Sequence, residues 1–207
     1  MKSLGLQIEN HKARYALVEH QGKRYQTLAL DQCELNELAK IAKTAHRIVL
    51  GLHIATLKHE VVENKMLGDS EKYYGYYRLP NKSDWQQFST KKIWVNPLLE
   101  TLKKQGLRVR ALDCQILAVM RLAKHRKLTL KEPQLWRLIE PNSVTLWQSR
   151  FSAIENSAVF YYHQHLSQVE TLIDEYKKSL NTGSEITVNY HDAELNPLIG
   201  LALWNVI

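Results

Sequence analysis

A duplicated α/β fold, its second half shortened and a small subdomain inserted into its first half, is predicted by three features of the sequence. One succession of elements (three strands in a row, a helix, a further strand and a closing helix) is written twice, over residues 4–127 and again over 136–204. Short polar breaks separate the first strands of each copy at hairpin spacing. A tyrosine-rich interval, 53–94, interrupts the first copy after its fourth strand.

In the first copy, residues 4–8 form a short apolar run, and 13–19 alternate through Tyr15, Leu17 and Glu19 around Ala16 and Val18. Both patterns predict strands. The breaks at Asn10-His11-Lys12 and Gln21-Gly22-Lys23 make 25–30 a third antiparallel strand. Leu35, Leu38, Ala39, Ala42 and Ala45 then recur at helical spacing behind Asp31, a candidate cap. Residues 47–52 fit a buried parallel strand. Leu98, Leu99 and Leu102 share one face of a helix predicted over 97–105, which Gly106 stops. A strand is expected over 107–112, with Asp113 capping a helix through Ile116, Leu117, Met120 and Ala123.

The second copy predicts strands over 135–139, 144–151 and 153–162, then a helix carrying Val169, Leu172, Ile173 and Tyr176 on one side and ended by Gly183. A strand over 185–190 and an apolar helix over 197–204 close it. Two such units side by side are the plan of the actin-like, ribonuclease-H-type architecture. The halves divide as 1–131, with the insertion near 53–94, and a shortened 132–207.

The chain is long enough to bury its own core. No apolar stretch reaches bilayer-spanning length and no signal-like segment opens the chain, so a cytoplasmic location is expected. Cys33 and Cys114 are too few and too far apart for a disulfide framework or a zinc site, and read as plain thiols. His163-Gln164-His165 has no third ligand at a recognisable spacing, so no metal is expected.

The formal charge of +7 is concentrated. Lys103, Lys104, Arg108, Arg110, Arg121, Lys124, Arg126, Lys127 and Lys131 share their interval with one acid, Asp113. Such a patch suits nucleic acid, anionic lipid headgroups or an acidic partner; a merely solvated helix face is the alternative reading. Zinc-finger and RNA-reading signatures are absent from the sequence, so specific base recognition is not expected.

Nucleotide binding in an actin-like cleft needs backbone amides close to the phosphates, supplied by glycine-containing turns after the first strand of each half. Here Gln7 stands where a metal-water-orienting aspartate is expected and Glu9 where a glycine is needed. The second turn, Glu140-Pro141-Asn142-Ser143, loses an amide donor to proline. A carboxylate about 4 Å from a phosphate charge costs roughly 4 kcal/mol at an effective dielectric near 20. The expectation is no ATP hydrolysis and a degenerate nucleotide site at Gln7, Glu9, Glu140 and Asn142.

The insertion carries Tyr73-Tyr74-Gly75-Tyr76-Tyr77. Adjacent tyrosines on a strand point to opposite faces, so at least two stand at a surface or junction. Together with Leu57, Val61 and Trp94 they form a candidate partner-binding surface, where an extended peptide could add to a sheet edge. An edge sheet that uses tyrosine for its β propensity is the alternative.

Asp113, Ala118 and Arg121, then Gly106-Leu107, then Gly200-Leu201-Ala202-Leu203, resemble motifs of the PilM type IV pilus assembly proteins and their short relatives called competence protein ComA or HofM. The resemblance implies an actin-like cytoplasmic protein, peripheral at the inner-membrane face, that binds the cytoplasmic tail of the membrane protein PilN. It implies a role in pilus assembly, competence DNA uptake or a related secretion machine. Family members with intact glycine turns bind ATP; this chain departs at Gln7, Glu9 and the Glu140 turn, and its second half is too short for the usual upper subdomain. The function expected is a non-catalytic adaptor without cofactor, with the basic residues able to favour an anionic membrane. A weak actin-like ATPase and a nucleic-acid-binding protein are the alternatives, and a homo-oligomer stays open.

Overall fold

The computed structural model describes residues 1–65, 68–79, 84–128, 133–150, 153–162, 166–180, 185–189, 191 and 194–206. β1 (Lys2–Glu9), buried without a break from Ser3 to Gln7, joins β2 (Lys12–Gln21) and β3 (Arg24–Glu34) in an antiparallel meander. The short helix α1 (Leu38–Ala42) leads into β4 (Arg47–Leu52), which pairs parallel with β1. Asp31 is not a helix cap. Its backbone is held in the ladder opposite Tyr15, β3 runs on to Glu34, and α1 opens behind Glu37 without a capping side chain.

The insertion folds into its own antiparallel sheet of β5 (Lys58–Val62), β6 (Lys72–Arg78) and β7 (Trp85–Lys91), in the order β5-β7-β6. β5 is short and ends at Val62. No apolar alternation announces β7, because Gln86, Gln87 and Thr90 are buried polar residues.

Helix α2 (Lys92–Lys104) begins well before Pro97, which sits inside it. The next strand, β8 (Val109–Cys114), is displaced from the expected 107–112 and pairs parallel with β4, completing a five-stranded sheet of order β3-β2-β1-β4-β8. Because pairing extends to Leu52 opposite Cys114, Asp113 belongs to the strand. The cap of α3 (Gln115–His125) is therefore Cys114, with no capping side chain.

In the second half β9 (Gln134–Ile139), β10 (Ser143–Arg150) and β11 (Ala153–Tyr161) form the second meander. Helix α4 (Leu166–Ser179) buries Val169 and Ile173, whereas Leu172, expected on the same face, is 45 % exposed. The expected stop at Gly183 and the His163-Gln164-His165 spacing lie outside the described residues. Parallel pairing of β12 (Glu185–Asn189) with β9 gives the four-stranded order β11-β10-β9-β12, the first sheet's plan without its fifth strand.

The last helix, α5 (Pro197–Ala202), is capped by Asn196, whose Oδ1 accepts from the Leu198 amide at 2.9 Å. Although it follows β12, it packs on β1, β2, β4 and α3 of the first half. Thus α1 and α2 cover one face of the first sheet, over Leu4, Leu6, Ile48 and Leu50, and α3 and α5 cover the other. The second core continues into Trp136 and Trp147, whose rings stack 5.6 Å apart. Two contacts admit only glycine: a Cβ on Gly5 would lie 2.0 Å from the Leu198 carbonyl oxygen, and one on Gly200 would lie 2.2 Å from that of Ala118.

Candidate functional site: an edge-to-edge groove and a filled cleft

The edge strand of the first sheet, β8, faces the edge strand of the inserted sheet, β6, across a groove of about 600 Å³. The lining is diagnostic. Residues 73–77 of β6 and 109–114 of β8 all border it consecutively. Both are edge strands, so each brings a free edge to the groove, and Phe88, Ser89 and Thr90 of β7 line it beside them. Leu57, Leu99 and Leu117 add apolar walls.

The tyrosines are held, not loose. Tyr73 Oη donates to Asn96 Oδ1 at 2.8 Å, tying β6 to α2. Tyr74 and Tyr76 stack on one face of the strand at 6.5 Å, the Tyr74 hydroxyl accepting from the Asp69 amide at 3.2 Å. None of the four is fully buried. Of the residues singled out beside them, Leu57 lines the groove; Val61, 51 % exposed, and Trp94, 57 % exposed, do not.

The inserted sheet is fixed to the second half from its other side. His59 Nε2 meets Ser157 Oγ at 2.9 Å, and Gln86 Oε1 accepts from the Ile154 amide at 2.9 Å. Burial lowers the His59 pKa from its ordinary value.

Between the halves, the two hairpin ends converge and bring Gln7, Glu9, Glu140 and Asn142 together. The Asn142 side-chain amide donates to Glu9 Oε1 at 3.2 Å, and Glu9 Oε2 pairs with Arg14 at 3.0 Å. Glu140 is buried and collects four donors. Its Oε1 accepts from Gln7 (3.4 Å) and Gln115 (3.2 Å); its Oε2 meets His53 Nε2 (3.1 Å) and the Ser143 hydroxyl (3.4 Å). Because His53 Nδ1 accepts from the Ala55 amide at 3.2 Å, the ring proton sits on Nε2 and points at Glu140. These four side chains are thus engaged by the protein's own carboxylate. His53 and Gln115 carry no sequence signal for this role, since they reach Glu140 from distant points of the chain.

Burial pushes the Glu140 carboxyl upward, but the His53 ring and the Gln7 and Gln115 amides outweigh it and hold it below the ordinary glutamate value of 4.5. A depressed folded value contributes stability that is present above 4.5 and lost as pH falls through the folded value. Glu140→Gln is expected to cost about 1–3 kcal/mol near neutrality. Urea unfolding should show that deficit closing in acid; a deficit independent of pH would refute the assignment.

The basic residues separate. Lys103 and Lys104 end α2 on one side of the first sheet, and Lys124 ends α3 on the other. Arg121 is structural: it pairs with Asp113 at 2.8 Å and donates to the Gly200 carbonyl at 2.7 Å. Arg126 pairs with Glu194 at 3.3 Å, Lys127 adopts a left-handed φ of 60°, and Lys131 lies outside the described residues. Burial pushes the Cys114 thiol up to about 12 and raises that of Cys33, so neither is a thiolate near neutrality. Among the described residues, no group of three His, Cys, Asp or Glu side chains could hold a metal ion.

Two sheets of one plan, closing helices between them and a subdomain inserted after the fourth strand decide the architecture. The fold is actin-like. The chain is similar in structure to a PilM-PilN type IV pilus biogenesis complex, with a TM-score of 0.65 and 14 % identity over 100 % of this chain and 86 % of that one. It is also similar to the cytoplasmic domain of EpsL, an inner-membrane component of the type II secretion system of Vibrio cholerae, with a TM-score of 0.62 and 14 % identity over 91 % and 83 %. The ethanolamine utilization protein EutJ from Carboxydothermus hydrogenoformans matches with a TM-score of 0.52 and 8 % identity over 98 % and 88 %. No family model and no curated protein matches the sequence. At these identities the likeness is one of fold.

Proposed function

We propose that this chain is a non-catalytic adaptor of a pilus or secretion machine, peripheral at the cytoplasmic face of the inner membrane, which captures the cytoplasmic tail of a PilN-like protein in the groove between β8 and β6. The observation that carries this reading is a groove bordered by two edge strands, β6 and β8. An extended peptide entering it can hydrogen-bond along either edge, at about 4.8 Å strand spacing, while Leu57, Leu99 and the tyrosines receive its side chains. Two of its structural neighbours, the PilM-PilN complex and EpsL, belong to such machines by their own descriptions, which supports the reading. The cleft favours an absence of catalysis: Glu140 lies buried against Gln7 and Gln115, Glu9 brings a second carboxylate, and Pro141 lacks an amide.

Gly75 offers a test that separates binding from folding. It lies in β6 at the groove, and a Cβ there would meet nothing within 4 Å. Gly75→Leu should keep the fold, since a glycine inside a strand costs about 0.5–1 kcal/mol relative to alanine, yet it places a side chain in the groove. Calorimetric titration with a synthetic PilN-like tail is expected to show binding by the native chain, loss of at least tenfold in the variant, and no heat with Mg-ATP. Saturable Mg-ATP binding without tail binding would overturn the reading.

A further inference from the structure

A second pocket, about 470 Å³, adjoins the groove and shares Tyr77, Leu117 and Arg121 with it. Its composition is amphipathic. Tyr77, Leu117 and Met120 give an apolar floor, while Lys23, Lys124 and Lys127 supply amines at the rim. Among the described residues, no carboxylate lies within ion-pair distance of those three lysines, and all three are exposed.

Helix electrostatics explain part of this arrangement, since cations near the end of α3 complement its dipole. Two details go beyond that. Lys23 comes from the β2–β3 turn, far from α3 in sequence, and still borders the same pocket. Lys127 occupies the left-handed position that ends α3, where its amide bonds the Lys124 carbonyl at 3.0 Å and the Leu128 amide bonds that of Ala123 at 2.9 Å. Glycine or asparagine is the usual occupant of that position, and here it carries an amine instead.

We propose that this pocket takes the phosphate of an anionic phospholipid headgroup, its amines on the charge and its apolar floor against the glycerol and first methylenes. The site directs the Tyr77 end of the groove toward the bilayer. The lipid site stands on its own geometry; only the orientation it gives to a captured membrane-protein tail rests on the function proposed above. Three amines at the tips of a turn and a helix end, all exposed, suit a flat anionic surface better than an acidic peptide, which needs its charges enclosed to gain affinity. Each lysine is worth a factor of about five in partitioning to an anionic membrane, so the three together are worth about a hundredfold.

The test is flotation of the full chain with phosphatidylcholine vesicles, with and without phosphatidylglycerol. Binding is expected only to the anionic vesicles, falling as salt rises, and about a hundredfold weaker for Lys23→Gln/Lys124→Gln/Lys127→Gln. Lys103→Gln/Lys104→Gln/Arg108→Gln removes the same charge elsewhere and should bind as the native chain does. Lys127→Gly relieves the left-handed strain, so it should be at least as stable as the native chain and still bind about fivefold less. Equal loss in both triple variants would overturn the proposal as mere net charge. Competition by free glycerol phosphate at equal affinity would assign the pocket to a soluble anion and overturn it too, as would polyglutamate binding through the same lysines without vesicle binding. Tail titration runs separately: vesicle binding without tail binding removes the proposed function and keeps the lipid site, and the reverse removes only the lipid site.

Discussion

Arg121→Leu is expected to cost about 3–5 kcal/mol of folding stability, the range for removing one partner of a buried ion pair. The cost arises because two groups lose their donor at once. Asp113, whose side chain is 6 % exposed, keeps a buried carboxylate answered only by the Cys114 amide at 2.9 Å, and the Gly200 carbonyl loses its 2.7 Å bond. Burial already raises the Asp113 pKa above its ordinary value of 3.8, against the opposing pull of Arg121. An acid with a raised folded value destabilises the native state as pH climbs from its unfolded value through its folded one. Without Arg121 that window widens upward, so the variant's deficit should shrink on acidification. Arg121→Leu/Asp113→Leu should recover much of the loss, as buried pairs replaced by apolar side chains often do. Equal urea midpoints for native and Arg121→Leu chains would show the pair to be dispensable.

Gly5→Ala is expected to destabilise by about 3 kcal/mol, the upper end of the overpacking range. Alanine's better backbone propensity gives back only about 0.5–1 kcal/mol. The added methyl would sit 2.0 Å from the Leu198 carbonyl oxygen and 2.7 Å from the Ala202 amide nitrogen. Both are backbone atoms, so no rotamer change clears the way, and α5 must lift from β1. Thermal unfolding checks this, and a native-like midpoint would mean that α5 is not seated as described.

The meanders and the parallel strands of both halves were legible because burial on both faces of a strand writes a nearly unbroken apolar run, as in Arg47 to Leu52, broken in Ala13 to Val18 only by Arg14, while in β3 exposed and half-buried residues alternate from Arg24 to Ala29. Pattern failed where the burial is polar. β7 carries Gln86, Gln87 and Thr90 inward, and two of these glutamine side chains spend their hydrogen bonds on Ile154 and Glu60. The start of α2 was missed because proline is favoured at a helix's first position, whereas Pro97 here follows a full turn that opens at Lys92. At the candidate site, the tyrosine run and the four degenerate turn positions could be named from residue type. The placement of β8 opposite the tyrosines, the His53 and Gln115 partners of Glu140, and the part of Lys23 could not, because only chain reversal brings these residues near.

The seating of α5 on β1 also sets an order of events during synthesis. One face of the first sheet is closed by residues 197–202, which leave the ribosome long after β1, β2 and β4. Chains generally fold domain by domain from the amino terminus, but here the first half emerges with Gly5, Ala16 and Val49 uncovered until α5 is made. That delay makes the docking of α5 the step that ties the end of the second half to the sheet of the first.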